Sequence, residues 1–285
     1  MTHIARLDTR AIVRVAGSDA RPFLHNLLTQ DVETIAEGDL RFAALLSPPG
    51  RLLFDLFVTD LVGAREDGAV LLDVASDRRE ALIQRLTMYR LRARVEISAD
   101  DRPVYASWPE VAPGFMVDPR TALMGGRAYG GNHSADAAEA DYDGHRLALG
   151  IPDPAADTAI DRTYPIEANF DLLNGIDFNK GCFVGQETTS RMKRRGVIKN
   201  RMLPLTLDGP APNPGAEVLN GERRAGEVTT ASGNAAMALM RLDRSEGVLT
   251  IGGRTARAWR PVWMPDWPKA EAATGSSVEE PPLTA

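Results

Sequence analysis

Apolar and polar positions alternate over "AIVRVAG" (11–17), the period of a half-buried strand. Residues 18–32 change to helical spacing: Phe23, Leu24, Leu27 and Leu28 fall on one stripe, with Ser18 or Asp19 placed to cap the helix. Residues 41–62 are two apolar runs around Ser-Pro-Pro-Gly, a strand–turn–strand signal. A further apolar strand (69–75) leads into "SDRREALIQRLTMYRLRA". That stretch has a capping box from Asp77 to Glu80 and apolar Ala81, Leu82, Leu86 and Met88. A short strand follows at 94–98. The order strand, helix, hairpin, strand, helix, strand predicts an α+β unit, an antiparallel or mixed sheet with helices on one face.

The pattern then weakens. Residues 102–133 give short strands and a glycine-rich loop, 134–150 a helix, and "YPIEANFDLLNGIDFNKGCFVGQE" short helical and extended pieces. From about residue 202 short β-like runs are split by Gly, Asn and Asp, which predicts a small antiparallel barrel. Residues 266–285 lack apolar periodicity and read as a disordered tail.

Composition adds bounds. The 285 residues suffice for two or three compact units, and 44% hydrophobic with 25% charged residues is the make-up of a soluble globular protein. A net charge of −6 gives no global attraction to nucleic acid or an anionic membrane. The start is too polar for a signal peptide, and the longest apolar stretch, broken by Asp55 and Asp60, is too short to span a bilayer. One cysteine excludes an internal disulfide, a cysteine zinc site and a complete iron–sulfur cage within the chain. A free thiol suits a reducing compartment, so the cytosol is expected. Dinucleotide, P-loop, nucleophile-elbow and zinc-protease motifs are missing, and the four histidines lack metal-ligand spacing.

The one informative stretch is "KGCFVGQETTSRMKRRG" (180–196). Gly181 and Gly185 permit a tight backbone path around Cys182, and "QETTSRMKRR" reads as a helix. A helix starting near Gly185 aims its positive end at the preceding loop, and Lys180 adds charge; both favour a thiolate if the sulfur reaches solvent. The ordinary alternative is a small buried hydrophobe, but core strands rarely surround a cysteine with Lys, Gln and Glu. Arg191, Lys193, Arg194, Arg195, Lys199 and Arg201 place six basic residues in eleven positions. That run is either a solvated surface or a patch for a polyanion or acidic partner.

"KGCFVGQE" resembles the signature of the YgfZ family, folate-binding proteins that assist iron–sulfur cluster maturation. They are related to the glycine cleavage T-protein, a tetrahydrofolate-dependent aminomethyltransferase. "LLTQDV", "SPPGRLLFDLFV", "RLALGIPD" and "AAMALMRLD" agree with the family order, so the likeness covers about residues 5–265. It implies a three-part, ring-like aminomethyltransferase-type fold of class α+β. Residues 1–200 would form two interleaved α+β units divided near residue 100, and 201–265 the C-terminal antiparallel β-barrel.

The likeness also implies a tetrahydrofolate or polyglutamated folate ligand and no intrinsic metal. An A-type iron–sulfur carrier or client iron–sulfur enzymes would be the partners of a monomer. Cys182 becomes the working thiol. Glu167, Arg51, Arg146, Lys180, Gln186, Glu187 and Arg194 become the folate-binding set. Two departures count against transferase chemistry: Phe54-Asp55 replaces a pair of adjacent aspartates, and Ala148 stands where relatives carry Glu. A folate-dependent aminomethyltransferase or demethylase with Asp55 as acid/base is the alternative. An RNA-facing module on the basic run is a third, weakened by the absence of interleaved aromatics.

Overall fold

β4 (Leu52–Thr59) and β5 (Val70–Ala75) are buried along their whole length, which explains their unbroken apolar runs: both faces of their sheet are covered. The computed structural model describes residues 1–60, 69–196, 198–210 and 212–265. The segment 266–285, expected to be disordered, lies outside the described residues. The sheet has the order β3-β4-β5-β2-β6, with β2 at Arg10–Ala16, β3 at Leu40–Leu46 and β6 at Glu96–Asp100. All its pairings are antiparallel. Strand alternation sends Ala43, Leu45, Val13 and Val15 to one face, under Phe23, Leu24 and Leu27 of α1 (Ala20–Leu27) and Leu82 and Leu86 of α2 (Arg79–Arg90). Leu40, Phe42, Ile12 and Phe57 take the other face, toward a second sheet.

That second sheet has the order β1-β7-β9-β8, from β1 (His3–Arg6), β7 (Val104–Trp108), β8 (Met116–Val117) and β9 (Gly126–Tyr129). α3 (Glu139–Ala148) packs Tyr142 and Leu147 into the same core, and α4 (Pro154–Asp157) follows it. Phe170, from the segment before the cysteine motif, stacks on Phe42 with ring centroids 4.5 Å apart, and Phe42 meets Phe57 at 5.1 Å. Each such buried ring contributes about 1.5–3 kcal/mol by area.

α5 (Gln186–Arg195) leads to a closed six-stranded barrel of order β10-β13-β12-β11-β14-β15. Its strands are β10 (Asn200–Leu207), β11 (Glu217–Asn220), β12 (Arg223–Ser232), β13 (Ala235–Arg241), β14 (Leu249–Ile251) and β15 (Arg254–Ala258). The barrel closes on itself through β10 and β15, so no edge strand is left open.

Three local expectations need correction. Asp19 holds the N-cap position of α1 without capping it, because its carboxylate is taken by the backbone N–H of Arg94 at 2.8 Å and the Arg94 guanidinium at 3.0 Å. The box from Asp77 to Glu80 does not form, since a 3₁₀ turn (Ser76–Arg78) precedes α2 and no side chain caps it. α3 begins at Glu139 rather than 134, because Asp136 and Ala137 are spent on β1: the Ile4 N–H donates to Asp136 at 2.7 Å, and both their N–H groups donate to the Ile4 carbonyl.

Candidate functional site

Cys182 is exposed between two buried neighbours, Lys180 and Phe183. The loop carrying it has no strand or helix, yet it is bonded to the first sheet at several points. Thr29 is fully buried. Its hydroxyl donates to the Gly175 carbonyl at 2.6 Å and accepts from the Ala44 N–H, and its carbonyl accepts from the Asp177 N–H at 2.9 Å. The Asp177 carboxylate then accepts from the N–H groups of Asn179 at 2.8 Å and Lys180 at 3.2 Å, an Asx-type turn. Phe183 anchors the far side in the main core and Val184 packs against the other one. The thiol is thus presented by a fixed loop.

α5 covers the predicted ten residues and starts directly after Gly185, which has φ of 82° and no capping side chain. A Cβ on Gly185 would lie 2.8 Å from Gly50 Cα and 2.9 Å from the Ser47 carbonyl oxygen, both backbone atoms of the β3–β4 turn. This contact seats the positive end of α5 against that turn, just behind the cysteine loop. Gly185→Ala is expected to cost at least about 1–2 kcal/mol in urea unfolding, the left-handed penalty alone, and to change the alkylation rate of Cys182. Unchanged values of both would remove Gly185 from this role.

Lys180 turns its ammonium inward, toward the end of α1. Its ammonium donates to the carbonyls of His25 and Leu28, the latter at 2.7 Å, and so caps the C-terminal end of α1. Burial lowers its pKa to about 8, against the pull of Asp31 and Asp177. Between pH 8 and 10.5 the unfolded amine holds a proton that the folded one has released, so this group's contribution to stability rises with pH through that window and is lost as pH falls through 8. The stability gap between the wild type and Lys180→Met is therefore expected to widen from pH 7.5 to 10.5 in urea unfolding. A gap that is flat or narrows would reject the assignment.

Of the other expected folate residues, Arg51 and Glu167 meet at Tyr164, and Gly50 beside Arg51 abuts the start of α5, which carries Gln186 and Glu187. Glu167 caps its own turn: its carboxylate accepts from the Tyr164 N–H at 2.9 Å and the Asn200 amide at 3.0 Å. Arg51 lies over the Tyr164 ring at 3.8 Å and donates to the Arg162 carbonyl. Arg146 is buried, donating to the Ile151 carbonyl at 2.8 Å and pairing with Asp157 at 3.3 Å. Gln186, Glu187 and Arg194 are on α5, with Glu187 and Arg194 exposed. Arg201 leaves the basic run altogether, because it is buried and paired with Asp171 at 2.8 Å.

Asp55 and Arg146 do share a cavity, also lined by Arg10, Arg120, Arg127 and Tyr142. Its volume is about 30 Å³, room for a water molecule and not for a pterin ring. A larger groove of about 640 Å³, beside the barrel, holds none of the expected folate residues. Tetrahydrofolate does not fit the space that Asp55 and Arg146 form. Asp55 itself accepts from Arg10 at 2.9 Å, so its carboxylate is ion-paired within the fold.

Two features escaped the sequence reading. The first is the ionic network around that cavity. Asp73 accepts from Arg10 at 2.6 Å, Arg127 at 2.7 Å and the Tyr129 hydroxyl at 3.1 Å. Asp118 accepts from Arg120 at 2.8 Å, and Arg120 also donates to the Tyr142 hydroxyl. Burial works against the Arg10 charge, but Asp73 and then Asp55 outweigh it and hold its pKa above the usual value. An aspartate inside each of the apolar runs "LLFDLFVT" and "VLLDVA" was the available signal, since a buried carboxylate requires a partner. The second feature is His25, whose Nδ1 lies 3.1 Å from Asp31 and whose Nε2 lies 3.7 Å from where a Cβ on Gly181 would stand. No pattern in the chain placed it beside the cysteine loop.

Comparisons with known proteins agree with this architecture. The family model of the CAF17 C-terminal beta-barrel domain matches residues 199–266. The chain is similar to the human mitochondrial iron–sulfur cluster assembly factor IBA57, with 32% identity over 92% of this chain and 84% of the human protein. The mouse protein of the same name is 33% identical over 86% of this chain and 79% of its own. Among solved structures, the glycine cleavage system aminomethyltransferase T of Bartonella henselae superposes with a TM-score of 0.71 at 18% identity, covering 92% of this chain and 86% of that one. At that identity the likeness shows an aminomethyltransferase-like fold. Both relatives are named as mitochondrial, so they give the cytosolic expectation no support. Among the described residues no helix is long and apolar enough to cross a membrane.

Proposed function

Because the chain belongs to the family of IBA57 iron–sulfur cluster assembly factors, we propose that it acts there by lending the Cys182 thiol to a cluster whose other ligands come from a partner protein. The observation that carries this reading is the exposure of Cys182 on a loop fixed by buried hydrogen bonds before it and by the buried Phe183 ring after it. A single thiolate cannot hold a cluster, so the remaining thiolates belong to the partner, for which an A-type carrier is the expected class. The step is a ligand exchange without redox change: Cys182 gives up its proton, its sulfur binds an iron of the cargo, and the displaced partner thiolate takes up a proton.

Tetrahydrofolate has no step in this reading, and neither does Asp55. The geometry gives the aminomethyltransferase alternative little support, since its acid/base is ion-paired inside a cavity the size of a water molecule. The direct test is to mix the reduced protein with a cluster-loaded A-type carrier without oxygen and follow the visible absorbance of the cluster. The wild type is expected to shift the spectrum toward mixed ligation and Cys182→Ser to leave it unchanged. An identical shift with both would sink the proposal.

A further inference from the structure

Arg191, Lys193, Arg194, Arg195 and Lys199 are all exposed, on α5 and just beyond it. On the rest of the surface, arginines commonly meet carboxylates: Arg79 with Asp101 at 2.9 Å, Arg94 with Asp19 at 3.0 Å, Arg241 with Asp243 at 2.9 Å. Here the pairing stops. Arg191 reaches Glu187 only at 3.8 Å, and among the described residues Lys193, Arg194, Arg195 and Lys199 make no ion pair. Lys193 instead covers the Phe178 ring, 5.1 Å from its centroid. The helix dipole accounts for cations in the last turn of α5. It does not account for Lys199, which lies outside the helix, or for missing counter-ions in a chain with 39 carboxylates.

Distance decides what these charges act on. Arg194 is eight residues along α5 from Gln186, about 12 Å at 1.5 Å per residue. That exceeds the Debye length of about 8 Å at physiological salt, so the basic end is too far away to tune the thiol. It is well placed to meet a body seated over the cysteine loop. We propose that the C-terminal half of α5, with Lys199, is the docking face for an acidic surface on the protein that shares the cluster. This rests on the reading of Cys182 as a shared ligand. The chain as a whole is acidic and repels such a partner, so a local basic face sets the approach that brings the partner's thiolates to Cys182. Nucleic acid fits the face less well: Phe183 is buried and Phe178 is covered by Lys193, which leaves no stacking platform in the run.

The test measures association of the full-length protein with an apo A-type carrier. The Lys193→Glu/Arg194→Glu/Arg195→Glu variant is expected to associate about tenfold more slowly than the wild type at low salt, with the difference closing at high salt. The Lys193→Gln/Arg194→Gln/Arg195→Gln variant, which spares the helix end a charge reversal, is expected to fall between them. Circular dichroism of both variants shows whether α5 is kept. Cys182→Ser is expected to associate at the wild-type rate, because no cluster is present. Equal rates for the wild type and the charge variants, or no association with the carrier, would overturn the proposal. So would binding to an RNA homopolymer that the reversal abolishes while carrier association persists. Intact charge-dependent docking with no cluster shift would instead reject the role of Cys182 and leave the docking face standing.

Discussion

Asp73→Ala is expected to destabilise the protein by about 3–5 kcal/mol, the range for removing one partner of a buried ion pair. The Asp73 carboxylate is 1% exposed and accepts from Arg10, Arg127 and Tyr129. Without it Arg10 keeps one carboxylate partner among the described residues, Asp55, and its bond to the backbone carbonyl of residue 73. Arg127 keeps a 3.5 Å bond to the Tyr142 hydroxyl and a 3.6 Å approach to Asp118, while its Nε has no hydrogen-bond partner even in the intact network. Two guanidinium groups would then be under-compensated between the two sheets. Asp55→Ala removes one bond to Arg10 and is expected to cost less. Urea unfolding of both variants checks the order. A loss below about 1 kcal/mol for Asp73→Ala, typical of a surface site, would mean that water replaces the carboxylate and that the network is not closed.

Cys182→Ser is expected to do the opposite: leave the fold intact and abolish function. The thiol is exposed, so unfolding free energy should change by no more than about 0.5 kcal/mol. In cells lacking the protein, the variant is expected to restore iron–sulfur enzyme activity no better than an empty vector. Lysates assayed for a cluster-dependent enzyme, with immunoblots showing equal amounts of both forms, give the comparison. Full restoration by Cys182→Ser would end the case for the thiol. Partial restoration would mean that docking alone supports some transfer, which the charge variants of α5 would then remove.

What the chain disclosed in advance was local in origin. The β3–β4 hairpin, the span of α5 and the barrel texture are written in adjacent residues, and each was readable from period, glycine placement and turn composition. The exposure of Cys182 was legible for the same reason, because its polar neighbours announce it. Pairings across long separations were not. Lys180 reaches His25 and Leu28 across more than 150 positions, and Arg10 meets Asp73 across 63. A lysine or arginine looks the same in sequence whether it awaits a ligand or caps a distant helix. The Glu167 contact was hidden for a subtler reason: it is three residues from the amide it caps, but the turn that brings them together has no period to detect.

The first strand belongs to the second sheet. β1 pairs with β7, about a hundred residues later, while β2, directly after it, joins the first sheet. On a ribosome adding roughly 5–20 residues per second, β1 waits on the order of 5–20 s for its partner, and Asp73 waits for Arg127 in the same way. During that interval the nascent chain carries an unpaired strand and a carboxylate short of one cation. The first sheet is complete in sequence by residue 100, yet its inner face gains its cover only as the second sheet and the segment around Phe170 emerge. Synthesis therefore has a vulnerable interval that the finished molecule does not reveal, and a holdase chaperone would be most useful then.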